Sequence, residues 1–259
     1  MNWFVEGLQG SGKSTLTRRI AELRPESVPV MEGDYSPVEL AWCAYMNANQ
    51  YREILNRYPE LRTEIEAKTA AEGEKRIVCY TKIQTQNTRF YRDLERYEIY
   101  NSRVPPADFR AIVLERYRKW NGDGNVFECS LLQNTVEDMI LFRNAADAEI
   151  VEFYRKTREA LDGKDYHIIY LKTEDVRGNL ETIRRERTDK QGNELWFPMM
   201  MQYFNDSPYA KANGKTEPED LIRHFIHRQE LELRICREVF AGKYTVLASR
   251  KYTDRDIPV

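Results

Sequence analysis

Gly7, Gly12, Lys13 and Ser14 stand in the spacing GxxxxGKS near the start of the chain, and those residue types at those places suit one task, the holding of a phosphate chain. Glycine lets the backbone turn so tightly that successive N–H groups face a single anion, and the N-terminus of a following helix adds partial positive charge. Gly10, Ser11 and Thr15 fall within the same cradle. Lys13 is placed to neutralise β- and γ-phosphates, and the Ser14 hydroxyl to ligate magnesium. The expected chemistry is binding of ATP with Mg2+. A glycine-rich turn that merely joins strand to helix is the competing reading; it is set aside because the spacing follows an apolar strand and opens a helix, where the mechanism needs it.

Acids carry information where open α/β sheets collect ligands, beyond the carboxyl ends of strands. Glu32 and Asp34 follow one short apolar run, and Glu128 closes another. Glu128 is placed to hold magnesium together with Ser14, directly or through water, and Glu32 or Asp34 to accept a proton from a substrate hydroxyl. Each is otherwise a surface acid. Further along, Arg184, Arg185 and Arg187 form a cluster. Their rigid forks suit phosphate oxygens and the charge that develops in transfer; the alternative is a charged helix face paired with Glu181 and Glu186. His224 and His227, three apart on a helix, lack the acidic or cysteine partners that would complete a metal site. Cys43, Cys79, Cys129 and Cys236 show no CxxC spacing and read as free thiols of a reducing cytoplasm.

The elements that must position these groups are legible as short apolar runs separated by helical segments. Asn2 to Val5 reads as a buried strand, Lys13 to Leu23 as a helix, and Ser27 to Met31, Val126 to Phe127, His167 to Leu171 and Tyr244 to Leu247 as further strands. Five strands alternating with helices predict an α/β fold, a doubly wound, five-stranded parallel sheet flanked by helices. Between the second and third strands, Ile54, Tyr58, Leu61 and Ile65, then Ile112, Val113, Tyr117 and Trp120, have helical spacing, so that interval reads as several helices. At 259 residues, 41% hydrophobic, 32% charged and a net charge of -2, the composition is that of one soluble globular domain. It gives no reason to invoke nucleic acid. With no run of 18 apolar residues and no basic segment leading into an apolar stretch, neither membrane insertion nor export is expected, and the location expected is cytoplasmic.

Taken together, these positions resemble the deoxynucleoside kinase and thymidylate kinase group of P-loop kinases, in the order of elements over nearly the whole chain. Glu32 followed by Pro37-Val38-Glu39-Leu40-Ala41-Trp42 is similar to the family's second-strand acid and its Pro-Val-Glu-x-x-Trp-like helix start, which implies that Glu32 is the base. Phe127-Glu128-Cys129-Ser130 is similar to the family's acid, Arg, Ser segment, with Cys129 in the arginine's place. Asp165 to Val176 with the three arginines resembles the fourth strand and an arginine-bearing lid. Gln84 and Gln86 resemble the glutamine that reads a base, since an amide donates and accepts at once. Trp42, Tyr45 and Tyr80 are candidates for stacking on a ring, with core packing as the alternative.

The resemblance implies one P-loop NTPase domain over residues 1–259, with a long helical acceptor-binding region at about 37–121 and a lid at about 177–193. It implies transfer of the ATP γ-phosphoryl group to a small-molecule acceptor, a nucleoside or nucleotide, and it fits a helix-packed homodimer. The alternatives are a kinase for another hydroxylated metabolite and a nucleotide-dependent regulatory NTPase, although no Asn-Lys-x-Asp guanine-reading motif occurs.

Overall fold

A computed structural model describes residues 1–258. From the N-terminus run β1 (Asn2–Gly7), α1 (Lys13–Leu23) and β2 (Val28–Val30). Then come β3 (Ala44–Asn47), α2 (Ala48–Arg57), α3 (Arg62–Ala67), β4 (Thr69–Glu72), β5 (Lys75–Val78), α4 (Thr88–Glu95) and α5 (Pro106–Lys119). The remainder holds β6 (Asn125–Glu128), α6 (Gln133–Leu141), α7 (Asp147–Ala160), β7 (Tyr166–Lys172), α8 (Val176–Glu186), α9 (Trp196–Asp206), α10 (Pro208–Asn213), α11 (Pro218–Glu238) and β8 (Tyr244–Ala248). The chain divides into two compact units, Met1–Pro29 with the chain from Asn121 onward, and Val30–Trp120.

The first unit is built on a five-stranded parallel sheet in the order β2-β6-β1-β7-β8, so all five expected strands exist and share one sheet. β1 lies at its centre, with Phe4 opposite both Phe127 and Ile168, and all six of its residues are buried. A strand buried on both faces must be apolar on both. Trp3 and Val5 pack with Leu16 and Ile20 of α1, and with Val126, Ile169 and Leu171. On the other face Phe4 stacks on Phe127 at 5.1 Å, Tyr166 and Tyr154 of α7 meet Phe240, and the Tyr170 hydroxyl reaches Glu232 of α11. Helices thus flank the sheet on both sides.

The second unit contains the expected helices and one element that the apolar spacing did not predict, an antiparallel sheet in the order β3-β5-β4. Its strands have four residues each and mix polar with apolar types, too short for a period to register. A two-residue turn joins β4 to β5, with Gly73 in the left-handed region at φ 56. The core of this unit gathers Met46, Ile54, Tyr58, Ile65, Val78, Tyr80 and Phe90. Residues 37–42 do not start a helix. The Glu39 carboxylate accepts from the N–H groups of Leu40 and Ala41, a local alternative to helical bonding, and Trp42 turns the backbone at φ 63. Among the described residues no helix is long and apolar enough to cross a membrane.

Candidate functional site

The loop from Gly7 to Gly12 connects β1 to α1 at the carboxyl edge of the central strand. Its glycines are required by what surrounds them. Gly7 has φ 139, and a Cβ there would lie 2.6 Å from the Leu171 carbonyl oxygen; Gly10 has φ 74, and a Cβ would lie 2.3 Å from Cδ1 of Ile183. Gly12 caps α1, whose first-turn N–H groups have no carbonyl one turn earlier within the helix. The Lys13 ammonium is buried and donates to the carbonyls of Gly7 at 3.0 Å and Leu8 at 2.6 Å. It therefore lies along the loop, held by the carbonyls that a bound anion would compete with.

Ser14 and Glu128 are 114 residues apart in sequence and meet in the structure, the Ser14 hydroxyl donating to Glu128 Oε1. The parallel register that sets Glu128 beside Val5 produces the meeting. One hydroxyl and one carboxylate are hard oxygen donors, the partial set with which Mg2+ binds while keeping waters and phosphate oxygens as its other ligands. The two fit that ion in chemistry. No cluster of three or more His, Cys, Asp or Glu among the described residues makes a dedicated metal cage.

Several contacts that hold the loop escaped the sequence reading. Arg228 of α11, fully buried, donates to Gln9 Oε1 at 2.6 Å and to Glu137 Oε2 at 2.5 Å, and its Nε lies 3.3 Å from Glu232 Oε1 as an ion pair without hydrogen-bond geometry. Asn179 of α8 donates to the Gln9 carbonyl at 2.9 Å. Past β8, Ser249 donates to the Ser11 carbonyl, and Arg250 donates through Nε to the Gly10 carbonyl while its fork grips Glu186 at 2.9 and 3.1 Å. One signal was available: Arg228 and Glu232, four apart, fall on the stripe of α11 that also carries Leu221, Phe225 and Ile235, and charges on an apolar stripe mark a buried pair.

The charges beneath the loop are strongly perturbed. Burial pushes Glu6 up to about 8, against the pull of the Leu131 and Gln133 N–H groups that it caps. Burial also opposes ionisation of Glu137, yet Arg228 and His224 overcome it and hold that carboxyl down to about 2. Glu232 is raised by burial, with Arg228 and the Tyr170 hydroxyl in opposition. His224 is thus committed to Glu137 and His227 to Asp147.

The three clustered arginines end α8 and the turn after it. Arg184 pairs with Glu194 and lies 4.2 Å over the Phe197 ring, Arg185 is exposed 3.9 Å from Glu181, and Arg187 lies 5.6 Å over Trp196. Glu186 pairs with Arg250 rather than with the cluster. α8 meets the Gly7–Gly12 loop through Asn179 and Ile183. Cys129, where the kinase group has arginine, is fully buried with φ 56, and its N–H donates to the Val5 carbonyl.

In the second unit, Glu32 accepts from the Trp42 indole at 2.9 Å, and Asp34 pairs with Lys82 at 3.1 Å. Trp42 is about half exposed. Tyr80 is buried in the core of that unit with its hydroxyl on Glu98, and Tyr45 lies under the Lys75 ammonium. Gln84 and Gln86 are exposed in the loop before α4. No protein-family model matches the chain, and no curated protein shows significant similarity to it.

Proposed function

We propose that the chain is a P-loop kinase that transfers the γ-phosphoryl group of ATP, with Mg2+, to a small-molecule acceptor, a nucleoside or nucleotide. The observation that carries the reading is the convergence of Ser14 and Glu128 beside a loop whose lysine already lies along it. When bound, Mg2+ would draw charge from the triphosphate and so ease loss of the γ-phosphoryl group. Ser14 and Glu128 would hold the metal, Lys13 would exchange the Gly7 and Leu8 carbonyls for phosphate oxygens, and the N–H groups of Gly10 to Thr15 would line the cradle. On the acceptor side, the resemblance favours Glu32 over Asp34 as base. The choice of acceptor class rests on the resemblance alone, and Cys129 is a departure from it.

The test is an ATP-consumption screen across nucleosides, nucleoside monophosphates and unrelated alcohols, with an acceptor-free control and an excess-chelator arm. ADP formation that needs both acceptor and divalent ion is expected. Acceptor-independent hydrolysis throughout would favour a regulatory NTPase, a response to unrelated alcohols alone would favour another metabolite, and full activity in chelator would remove Ser14 and Glu128 from their roles.

A further inference from the structure

Cys43 and Cys79 stand one residue outside the ladder between β3 and β5. Cys43 precedes Ala44 and Cys79 follows Val78, and Ala44 and Val78 are register partners. Continuing an antiparallel register by one step sets the two cysteines directly across from each other, in the position of a cross-strand pair. Both are buried, and their sulfurs lie 3.7 Å apart, against about 2.05 Å for a bonded pair. Side-chain adjustment rather than strand movement separates the dithiol from a disulfide.

We propose that Cys43 and Cys79 form a reversible thiol–disulfide site that a small organic disulfide converts into an intrachain bridge. The two thiols are not equivalent. The Cys43 S–H donates to Cys79 Sγ, a bond that lowers the Cys79 thiol below its ordinary value, while the same bond and burial push Cys43 well above. Cys79 is the attacking thiolate. It displaces one thiolate from the reagent and forms a mixed disulfide; Cys43 then gives up its proton, attacks the Cys79 sulfur and expels the second thiolate. Two protein thiols and one reagent disulfide become one protein disulfide and two reagent thiols, so the chain loses two hydrogens and the reagent gains them.

The bridge would join two segments that both contact residues 32–34. Trp42, next to Cys43, donates its indole N–H to Glu32, and Lys82, three residues after Cys79, pairs with Asp34. Between these acids, a Cβ on Gly33 would approach Thr81 Oγ1 to 3.0 Å and Lys82 Cε to 3.1 Å, so the two segments have little room to move independently. Any effect of the bridge on turnover depends on the kinase reading; formation of the bridge does not.

The test incubates the native chain with graded ratios of oxidised to reduced glutathione, then quenches with acid, alkylates under unfolding conditions and maps peptides by mass spectrometry. The expected result is a linked pair of peptides containing Cys43 and Cys79, lost on treatment with dithiothreitol, with Cys129 and Cys236 alkylated throughout. Cys43→Ala and Cys79→Ala should each give no linked peptide, and Cys43→Ala, which removes the S–H bond that lowers Cys79, should react with oxidised glutathione more slowly than the parent chain. The proposal is overturned if Cys43 and Cys79 of the native chain both stay alkylatable at the most oxidising ratio, or if either accumulates an adduct with no linked peptide.

Discussion

Two buried charge sites, one in each unit, are partnered differently. Beneath the Gly7–Gly12 loop, Arg228 and Glu232 are both fully buried, and Glu137, His224 and Glu6 join them in the interior. In the second unit Asp93 is buried too, but its partners Arg57, Arg89 and Arg96 are exposed. Desolvating both ends of an ion pair costs several kcal/mol per ion, which the mutual attraction recovers only when geometry and hydrogen bonds are good. A solvated guanidinium costs far less and contributes little, on the order of 1 kcal/mol or below. The buried arrangement gains rigidity: the Gly7–Gly12 loop is tied at Gln9 to a network that cannot rearrange cheaply.

The difference predicts where substitutions do most damage. Lys13→Ala should have the largest effect, a loss of turnover of about 10³-fold, with a far-ultraviolet spectrum and unfolding midpoint close to those of the parent chain. Unchanged ATP affinity and turnover would remove the loop from catalysis. Arg228→Met comes next. It strands Glu137 and Glu232 in the interior and should cost about 3–5 kcal/mol in denaturant unfolding, whereas Asp93→Asn should cost about 1 kcal/mol, since its arginine partners remain hydrated. Equal losses at the two sites would erase the contrast between the units.

A pH series sharpens the same point. Glu6 has its folded value pushed from the ordinary 4.5 to about 8, so between those values the folded chain keeps a proton that the unfolded chain has lost, and stability falls as pH rises. Glu137 runs the other way. With its folded value at about 2, its contribution is fully present above 4.5 and is lost as pH falls toward 2. Stability should therefore peak in the mildly acidic range. Glu6→Gln, which cannot ionise, should flatten the decline above pH 4.5, gaining up to a few kcal/mol relative to the parent by pH 8. Parallel curves for the two chains would show that Glu6 ionises normally in the folded state.

Legibility in the sequence follows the range of the interactions. The first strand, the glycine turn from Gly7 to Gly12 and the helix opening at Lys13 are local and could be read directly. Glu128 was legible because a strand end is itself a local signal, and the parallel register then brought it to Ser14. Arg228 and Arg250 reach Gln9 and Gly10 across 219 and 240 residues, and no spacing rule spans that distance. The β3–β5–β4 sheet was missed for a different reason: four-residue strands of mixed polarity give no period, and only the Gly73-Glu74 pair marked their turn. At Pro37 to Trp42 the sequence resembled a helix start, but the Glu39 side chain bonds the N–H groups of its own segment instead.

The smallest expected effect concerns the arginine-bearing segment, which belongs with the first unit and tests whether its rigidity extends beyond the loop. Residues 188–194 form a tight turn closed by a bridge between Thr188 and Glu194, with the Asp189 carboxylate accepting from the N–H groups of Gln191 and Asn193. Arg184 is tied to this turn through Glu194, and Arg185 points its charge into solvent. Phosphate would offer those forks a stronger partner than an exposed glutamate. On the proposed kinase reading water must also be excluded at transfer, and a lid is the common device. Binding of a non-hydrolysable ATP analogue should therefore slow amide exchange across residues 184–193 by several-fold, with the gain smallest at the pre-bonded Arg187, Asp189, Gln191, Gly192 and Asn193 amides. Equal exchange with and without the analogue would reject closure while leaving the phosphate loop untouched, and a gain confined to the Gly10–Thr15 amides would assign all the ordering to the cradle.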